Sequence, residues 1–258
     1  MFKLLSKQII ANNIKRLEVK AADIARKVKP GQFVMVMPDD SGQKISLPVV
    51  DADAQRGVIS LIVEEKDGLT KGLAAIQIND HIPSILGPLG MPVKIQNTKV
   101  VACVGYGIGI ARLLLLSKAY RPKETKVVGI IGAKTKKALV LESQMRLACN
   151  KLYVTTDDGT YERKGLISDL FRDLIKKESI SLVYAAGSVL MMAAVTKYAK
   201  ENNVESVVFV NPPMTDGIGI CGSCRMKVGG KDVFACVDGP HFNGEGVDFH
   251  DLSIRTDG

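Results

Sequence analysis

Three cysteines and one aspartate crowd a short glycine-rich segment near the end of this 258-residue chain. Their spacing is D-x4-C-x2-C-x11-C, and the fixed positions are Asp216, Cys221, Cys224 and Cys236. Plant-type [2Fe-2S] proteins use C-x4-C-x2-C and a distant fourth cysteine, so an aspartate occupies the first ligand position here. A carboxylate keeps the charge of a thiolate but binds iron less covalently. The spacing therefore predicts an iron–sulfur cluster whose reduction potential differs from that of a four-cysteine cluster.

The glycines of the same segment suit such a cluster. Gly217, Gly219 and Gly222 allow backbone N–H groups to point at bridging sulfides. A zinc knuckle is the alternative, because the three cysteines and His241 also form a tetrahedral Cys3His set. The segment after Asn211 is too poor in apolar residues to fold around its own core, so unliganded thiols would leave the loop without support.

A second glycine-rich stretch, Gly105-Tyr-Gly-Ile-Gly109, follows an apolar strand pattern and leads into an apolar helix. Glycines at such a turn let a phosphate or a nicotinamide approach the backbone, and a helix N-terminus favours an anion. The spacing differs from the G-x-G-x-x-G of Rossmann folds. The next strand ends in Gly132-Ala-Lys-Thr-Lys136, without an acid for a ribose 2′-hydroxyl. The stretch predicts dinucleotide binding in another geometry, with tight helix-on-strand packing as the alternative.

The elements that must position these residues change in character along the chain. The first 95 residues contain short apolar runs separated by turn signals such as Asp67-Gly68 and Gly87-Pro88, which predict a small antiparallel barrel. From about residue 99 onward, strands alternate with helices, which predicts a parallel sheet covered on both faces. The predicted strands of that sheet are 100–104, 127–131, 152–155, 182–186 and 206–210.

Composition and charge exclude several classes of protein. Apolar residues make up 46% of the chain and charged residues 24%, which is typical of a globular protein and not of a disordered one. The net charge of +8 comes from scattered Lys and Arg, so we expect no nucleic-acid binding. The longest apolar stretch, 108–116, is too short to span a membrane, and no secretory signal is evident, so we expect a cytoplasmic protein. Cys103 and Cys149 lie in apolar segments and are interpreted as core thiols.

The order of these motifs along the chain resembles the ferredoxin-reductase superfamily. It runs from Pro30-Gly-Gln-Phe33 through a strand motif at 45–48, Thr70 and Gly87-Pro-Leu-Gly90 to the two glycine-rich segments. Within the superfamily, the chain is similar to the electron-transfer subunits of dihydroorotate dehydrogenase and of NADH-dependent ferredoxin:NADP oxidoreductase, also called sulfide dehydrogenase. Asp216 favours the second of these, since the dihydroorotate subunit typically has a cysteine at that position.

The resemblance implies three domains and their cofactors. These are an N-terminal antiparallel FAD-binding β-barrel over 1–95, a parallel-sheet NAD(P)-binding α/β domain over 96–210, and a small [2Fe-2S] subdomain over 211–258. The implied cofactors are FAD, a [2Fe-2S] cluster and NAD(H), with NADP(H) also open. The isoalloxazine is expected against the motif at 45–48, the FAD phosphates near Thr70, and NAD(H) over the glycines of the second domain. The implied cofactor-binding residues are Ser46, Leu47, Pro48, Val63, Gly68, Thr70, Gly105, Gly107, Gly109 and Gly187.

The implied activity is that of an NAD(P)H-dependent flavin and iron–sulfur oxidoreductase subunit. Hydride passes between nicotinamide and flavin, and single electrons then pass through the cluster, without an acid, base or nucleophile from this chain. The implied partner is a larger flavin and iron–sulfur subunit in a heterodimer, which sends electrons towards ferredoxin. Two alternatives stay open: the electron-transfer subunit of dihydroorotate dehydrogenase, and a non-enzymatic binding module with a zinc knuckle.

Four positions depart from the pattern of the family. Pro48 stands where a serine or threonine usually offers a hydroxyl to the flavin, and Leu69 replaces a small residue. Arg112 and Ser188 replace the usual prolines of the nucleotide domain. We expect these changes to affect the details of cofactor binding more than the fold.

Overall fold

The computed structural model describes residues 2–256. Its strands form two seven-stranded sheets and one hairpin. The strands are β1 (Phe2–Ala11), β2 (Ile14–Lys20), β3 (Phe33–Met37), β4 (Ile45–Asp53), β5 (Val58–Glu64), β6 (His81–Ile82), β7 (Ser84–Leu89), β8 (Val100–Tyr106), β9 (Lys126–Ala133), β10 (Lys151–Thr156), β11 (Arg163–Lys164), β12 (Leu182–Ala186), β13 (Glu205–Phe209), β14 (Arg225–Val228), β15 (Lys231–Phe234) and β16 (His241–Asn243). The α-helices are α1 (Ala22–Lys27), α2 (Gly68–Ala75), α3 (Ala111–Tyr120), α4 (Glu142–Ala148), α5 (Ile167–Lys177), α6 (Val189–Glu201) and α7 (Phe249–Thr256).

The first sheet is a nearly closed antiparallel barrel, as the sequence predicts. Its strand order is β6-β1-β2-β5-β4-β3-β7. Strand β4 carries the motif at 45–48 and pairs with β3, so that Ser46 lies opposite Met35 and Pro48 lies opposite Phe33. Apolar side chains that face inward, such as Leu61, form a closed core. This core holds β4 and β5 in place on the side that faces the second sheet.

Two turn signals in the barrel have other roles. Gly87-Pro88 lies within β7, which tolerates a proline because it is an edge strand whose register with β3 shifts at this point. Asp67-Gly68 marks the start of α2, where Asp67 is the N-cap residue. Strands β1 and β2 were not predicted, since lysines and other polar residues interrupt their apolar pattern.

The second sheet confirms the predicted parallel α/β architecture. Its order is β11-β10-β9-β8-β12-β13-β16, and β8 pairs in parallel with both β9 and β12. Helices α3 and α4 pack on one face and α5 and α6 on the other. From β8, successive strands are added towards one edge of the sheet as far as β11, and the strands from β12 onward are added towards the other edge. The carboxyl ends of β8 and β12 therefore form the switch point, where ligands bind in open α/β sheets.

The C-terminal segment contacts both sheets. Strand β16 pairs antiparallel with β13 and becomes the edge of the α/β sheet. Strands β14 and β15 form the hairpin, and Met226 shares a buried apolar cluster with Phe33 and Met35 of the barrel. The domain boundaries at 95 and 210 stay predictions. No helix within residues 2–256 has the length and apolarity that a membrane crossing requires.

Candidate functional site

A cavity of about 410 Å³ lies between the barrel and the α/β sheet. We call it the central cleft. Strands β4 and β5 and the start of α2 line it on the barrel side, and the loops after β8, β12 and β13 line it on the other. These loops lie at the switch point of the sheet, as expected for a ligand site. The residues predicted to bind cofactors that line the central cleft are Ser46, Leu47, Pro48, Val63, Thr70, Gly107, Gly109 and Gly187.

Two further residues predicted to bind cofactors, Gly68 and Gly105, do not line the cleft. Gly68 is the first residue of α2. A Cβ atom on Gly105 would lie 3.0 Å from the Cα of Ile110 and 3.0 Å from Leu113. At Gly105, the alternative of tight helix-on-strand packing therefore describes the structure.

The glycine-rich turn after β8 brings backbone to the cleft surface. A Cβ on Gly109 would overlap the carbonyl oxygen of Ala186, so only glycine allows this loop to contact the end of β12. Gly107 has φ +56°, and a Cβ there would meet no atom within 4 Å, so its backbone is open to a ligand. The turn thus combines close packing at one glycine with an accessible peptide at another.

Thr70 is fixed at the rim of the cleft by a capping box. The Asp67 carboxylate accepts a hydrogen bond from the Thr70 N–H at 2.7 Å, and the Thr70 hydroxyl accepts from the Asp67 N–H at 3.0 Å. The bonds that the Thr70 N–H and then its hydroxyl donate to the carboxylate lower the pKa of Asp67. The first turn of α2 is therefore rigid where it meets the cleft.

A second cavity of about 440 Å³, here the adjoining pocket, shares Tyr106 and Ser188 with the central cleft. Leu190 and Met191 give it a largely apolar wall. The Tyr106 hydroxyl donates to Oδ2 of Asp157, whereas Oδ1 of Asp157 is buried without a hydrogen-bond partner. Burial, followed by the bond to Asp157, raises the pKa of Tyr106, so the phenol remains a donor.

Asp157 is a candidate functional residue that the sequence did not single out. In the sequence, the expected position of a ribose-binding acid is the end of β9, where Lys134 follows the strand. The structure instead brings an acid from the end of the next strand, β10, to the adjoining pocket. The Asp157-Asp158 pair closely follows the predicted strand 152–155 and was visible in the sequence. Its position beside the pocket could be recognised only once the strand order β10-β9-β8 was known.

The cluster loop, residues 215–224, brings only part of the predicted ligand set together. Cys224 and Cys236 are 1% and 2% exposed, and their sulfurs lie 3.2 Å apart without a disulfide. Cys221 is exposed, and its sulfur lies 3.0 Å from the Ser223 hydroxyl. Within residues 2–256, no three His, Cys, Asp or Glu side chains are grouped as metal ligands. Three of the predicted ligands thus lie in the cluster loop and Cys236 lies after β15, and the four are not gathered around one point.

Asp216 faces the backbone of its own loop. Its carboxylate accepts hydrogen bonds from the N–H groups of residues 218, 219, 220 and 221 at 2.9, 3.2, 2.9 and 2.6 Å. These bonds, led by that from Ile218, lower the pKa of Asp216. The amides expected to point at sulfides therefore converge on a carboxylate, and the loop forms an anion-binding concavity.

The cluster loop suits an iron–sulfur cluster, because its N–H donors can face bridging sulfides, which a zinc site lacks. Burial, followed by the neighbouring Cys224 thiol, raises the pKa of Cys236, so ionising this pair requires a bound metal cation. The fourth ligand of the zinc alternative, His241, lies on β16 with its ring 5.8 Å from that of Phe209. Like Asp216 and Cys221, it is not grouped with the two buried cysteines among residues 2–256.

The cluster loop packs directly on the barrel strand next to the cleft. Gly217 has φ +76°, and a Cβ there would lie 2.5 Å from Cγ of Met35 on β3. Met35 is in turn the cross-strand neighbour of Ser46, which lines the central cleft. One strand therefore separates the cleft from the loop.

Comparison with known proteins agrees with this geometry. Residues 211–248 match the family model described as the iron–sulfur cluster binding domain of dihydroorotate dehydrogenase B. Over 98% of its length, the chain is 34% identical to the dihydroorotate dehydrogenase B (NAD(+)), electron transfer subunit homolog of Thermotoga maritima, of which it covers 89%. The chain belongs to the family of dihydroorotate dehydrogenase B electron transfer subunits and their homologues.

A further relative and a solved structure extend the match. An uncharacterized protein in the adh 3′ region of Clostridium beijerinckii is 36% identical over 99% of this chain and 89% of its own length. A chain from the structure of NADH-dependent reduced ferredoxin-NADP oxidoreductase, reported for flavin-based electron bifurcation, superposes with a TM-score of 0.93. That chain is 33% identical, and the match covers 99% of this chain and 92% of that one. The predicted resemblance and the role of an electron-transfer oxidoreductase subunit are confirmed.

Proposed function

We propose that this chain exchanges hydride between NAD(H) and an FAD held in the central cleft, and passes single electrons to a [2Fe-2S] cluster in the cluster loop. The observation that carries the proposal is the contact of Gly217 with Met35, whose cross-strand neighbour Ser46 lines the cleft. Adjacent strands lie about 4.8 Å apart, so the two sites are close neighbours in the fold.

The central cleft has the size and surface of a flavin site. Its volume of about 410 Å³ falls within the usual range for ligand pockets. Leu47 and Pro48 supply apolar surface for a flat ring, and Thr70 stands at the rim for phosphates. Gly107 leaves an open peptide for the nicotinamide. When bound, FAD supplies the conversion between two-electron hydride chemistry and one-electron transfer.

The residues of the cleft contribute alignment and exclusion of water. Charged side chains such as Glu64 and Arg112 also line the cleft, but hydride transfer between two cofactors needs no general acid or base from the chain. The capped first turn of α2 fixes the barrel side of the cleft, and the close packing of Gly109 on Ala186 fixes the α/β side. This is the contribution expected of a protein whose cofactors carry the chemistry.

The adjoining pocket supports NAD(H) as the nucleotide. The unpartnered Oδ1 of Asp157 can accept a bond from a ribose hydroxyl, and its charge repels a 2′-phosphate. An apolar wall of Leu190 and Met191 suits adenine. The competing feature is Lys134, which lines both the adjoining pocket and a third cavity of about 920 Å³. Lys137 also lines that third cavity, and the charge of the two lysines would suit NADP(H).

The cluster ligands in this proposal are Cys221, Cys224, Cys236 and Asp216. The chemistry of three thiols and one carboxylate on a loop rich in N–H donors supports the assignment. We expect Asp216→Cys to retain a cluster with a changed reduction potential, and Asp216→Ala to lose most of its iron. Iron content and potential that are the same in Asp216→Ala as in the wild type would refute the aspartate as a ligand.

The partner in this proposal is a larger flavin and iron–sulfur subunit, as in the ferredoxin:NADP oxidoreductase, with ferredoxin as an indirect acceptor. Ile218 and Ile220 in the cluster loop are 48% and 81% exposed, and Val237 beside it is 45% exposed. Such apolar side chains around an electron exit suit a protein contact. The second candidate is a dihydroorotate-oxidising subunit, which the names of several relatives favour. Co-expression with each type of partner, followed by size-exclusion chromatography, decides between them.

The experiment that tests the function is anaerobic reduction of the reconstituted protein. We expect visible absorption of both flavin and [2Fe-2S] cluster, full bleaching by NADH, and much slower reduction by NADPH. In the Cys224→Ser variant, NADH should still reduce the flavin while the cluster absorption is absent. Protein that takes up neither FAD nor iron after oxygen-free reconstitution would overturn the proposal, and faster reduction by NADPH would overturn the choice of nucleotide.

A further inference from the structure

Arg112 places an unneutralised cation in the wall of the central cleft. It is the second residue of α3, and its guanidinium donates a hydrogen bond to Oδ1 of Asn211. An arginine has five N–H donors. Among residues 2–256, the guanidinium of Arg112 has no other hydrogen-bond partner and no ion pair. Most of its donors therefore remain available to a ligand.

The charges around the cleft do not balance without a ligand. Two basic residues and one acid line it, namely Lys66, Arg112 and Glu64. Lys66 and Glu64 form an ion pair at 3.0 Å, which leaves the charge of Arg112 uncompensated. Burial lowers the pKa of Arg112 to about 10, so the side chain is still a cation at neutral pH. A partly buried cation without a counter-ion is costly, and a bound anion offsets that cost.

The backbone around Arg112 does not relieve this cost. Arg112 lies in the first turn of α3, where the helix dipole adds positive potential and no acidic residue is present. Asn211 offers a neutral amide oxygen, which orients the guanidinium but leaves its charge in place. The guanidinium of Arg112 is thus a positively charged group with a fixed orientation in the wall of the cleft.

We propose that Arg112 binds the negative charge that the flavin acquires on reduction, and that Asn211 is the positioning residue for its guanidinium. The inference rests on the proposed function. Hydride uptake brings two electrons and one proton, so the ring system gains one negative charge while the nicotinamide gains one positive charge. Arg112 compensates that charge and favours the reduced state of the bound flavin.

A phosphate group is the other anion that a guanidinium in this cleft could hold. Phosphates are commonly bound by backbone N–H groups at helix starts, and besides the start of α3, both α2 and α6 present one at the cleft through Thr70 and Ser188. Of the two cationic residues that line the cleft, Lys66 is paired with Glu64, so Arg112 is the one left to the ring system of the flavin. We therefore assign the anion bound by the Arg112 guanidinium to the reduced flavin ring, and the experiment distinguishes this anion from a phosphate.

The test is a spectroelectrochemical titration of the flavin in reconstituted protein. We expect Arg112→Gln to lower the equilibrium constant for two-electron reduction at least tenfold, a fall of about 30 mV in midpoint potential. Arg112→Lys should retain most of the wild-type potential. The matched control is Lys123→Gln, which removes one positive charge from the exposed turn after α3 and should leave the potential unchanged. An unchanged potential in Arg112→Gln overturns the inference.

Two further measurements keep the outcome decisive. Asn211→Ala keeps the charge but frees its orientation, and we expect a fall of about threefold in the same equilibrium constant. If Arg112→Gln does not retain FAD, the result with Asn211→Ala alone supports or overturns the inference. An unchanged potential with tenfold weaker NADH binding, measured by titration calorimetry, would assign the guanidinium to a phosphate instead. Wild-type protein that binds no FAD defeats the proposed function, which is a different failure.

Discussion

The central cleft and the cluster loop are built in different ways. Buried apolar residues of two sheets hold the cleft walls, and Leu47 and Val63 are 6% and 0% exposed. The cluster loop depends on polar contacts, above all those of Asp216, and on two buried thiols. Packing therefore fixes the cleft before any ligand binds, whereas the shape of the loop depends on what its carboxylate and sulfurs bind.

The largest effect is expected from removing a buried thiol of the loop. Cys224→Ser should abolish the cluster, because a serine oxygen is a poor replacement for a thiolate on iron. FAD content should stay near one per chain, since packed residues of the two sheets form the cleft walls. Cys149→Ser, a buried thiol of the α/β core, is the control and should retain its iron. Iron and acid-labile sulfide analysis checks this, and simultaneous loss of FAD in Cys224→Ser would show that the two sites are not independent.

The contact between loop and barrel should be next in size. Gly217→Ala should lower the free energy of unfolding by about 1–3 kcal/mol more than Gly230→Ala, measured by urea denaturation. Both glycines have φ +76°, but an added Cβ meets Met35 at 2.5 Å in one case and no atom within 4 Å in the other. Comparing the two variants therefore separates the energetic cost of the steric contact with Met35 from the cost of placing alanine in a left-handed backbone conformation. Equal effects of the two substitutions would mean that the loop does not press on the barrel.

Nucleotide selectivity should respond to the adjoining pocket. Asp157→Asn should reduce the preference for NADH over NADPH by about tenfold, because it removes the charge that repels a 2′-phosphate. Asp158→Asn is the matched control, since Asp158 is exposed and bonds to Thr160 outside the pocket. Rates of flavin reduction with both nucleotides give the ratio. A ratio that changes in Asp158→Asn and not in Asp157→Asn would move the ribose site elsewhere.

The smallest effect concerns the α/β sheet alone. Glu178 is buried and accepts hydrogen bonds from Lys126 and Lys151, both at 2.7 Å, and from Tyr153. These bonds, led by that of Lys126, lower its pKa from 4.5 to about 2. A lowered pKa stabilises the fold above pH 4.5, and this contribution is lost as the pH falls towards 2.

Glu178→Gln should therefore weaken the dependence of unfolding free energy on pH in that window. Glu201→Gln, at the exposed end of α6, should leave the pH profile unchanged and serves as the control. Chemical denaturation at a series of pH values gives both curves. If unfolding free energy depends on pH equally in both variants and in the wild type, protonation of Glu178 does not contribute to the pH dependence of stability.

The sequence predicted those features that depend on local pattern. Apolar runs alternating with helices indicated the parallel sheet, and the cysteine spacing indicated the loop, since both patterns are set by neighbours in the chain. Asp157 was missed because its role depends on strand order, which places β10 beside β9 and β8. The hydrogen bonds of Asp216 were missed because they depend on how the loop turns. Long-range placement and loop geometry thus set the limit of the prediction.

The pairing of β16 with β13 has a consequence for the architecture of the whole subunit. The C-terminal segment pairs with the α/β sheet through β16 and packs on the barrel through its hairpin, so it connects the two domains. A chain that ends after residue 210 would lose that connection. Strand β13 would then be an exposed edge strand that can pair with another molecule. The iron–sulfur module of this chain is therefore a structural member of the subunit and not a detachable accessory.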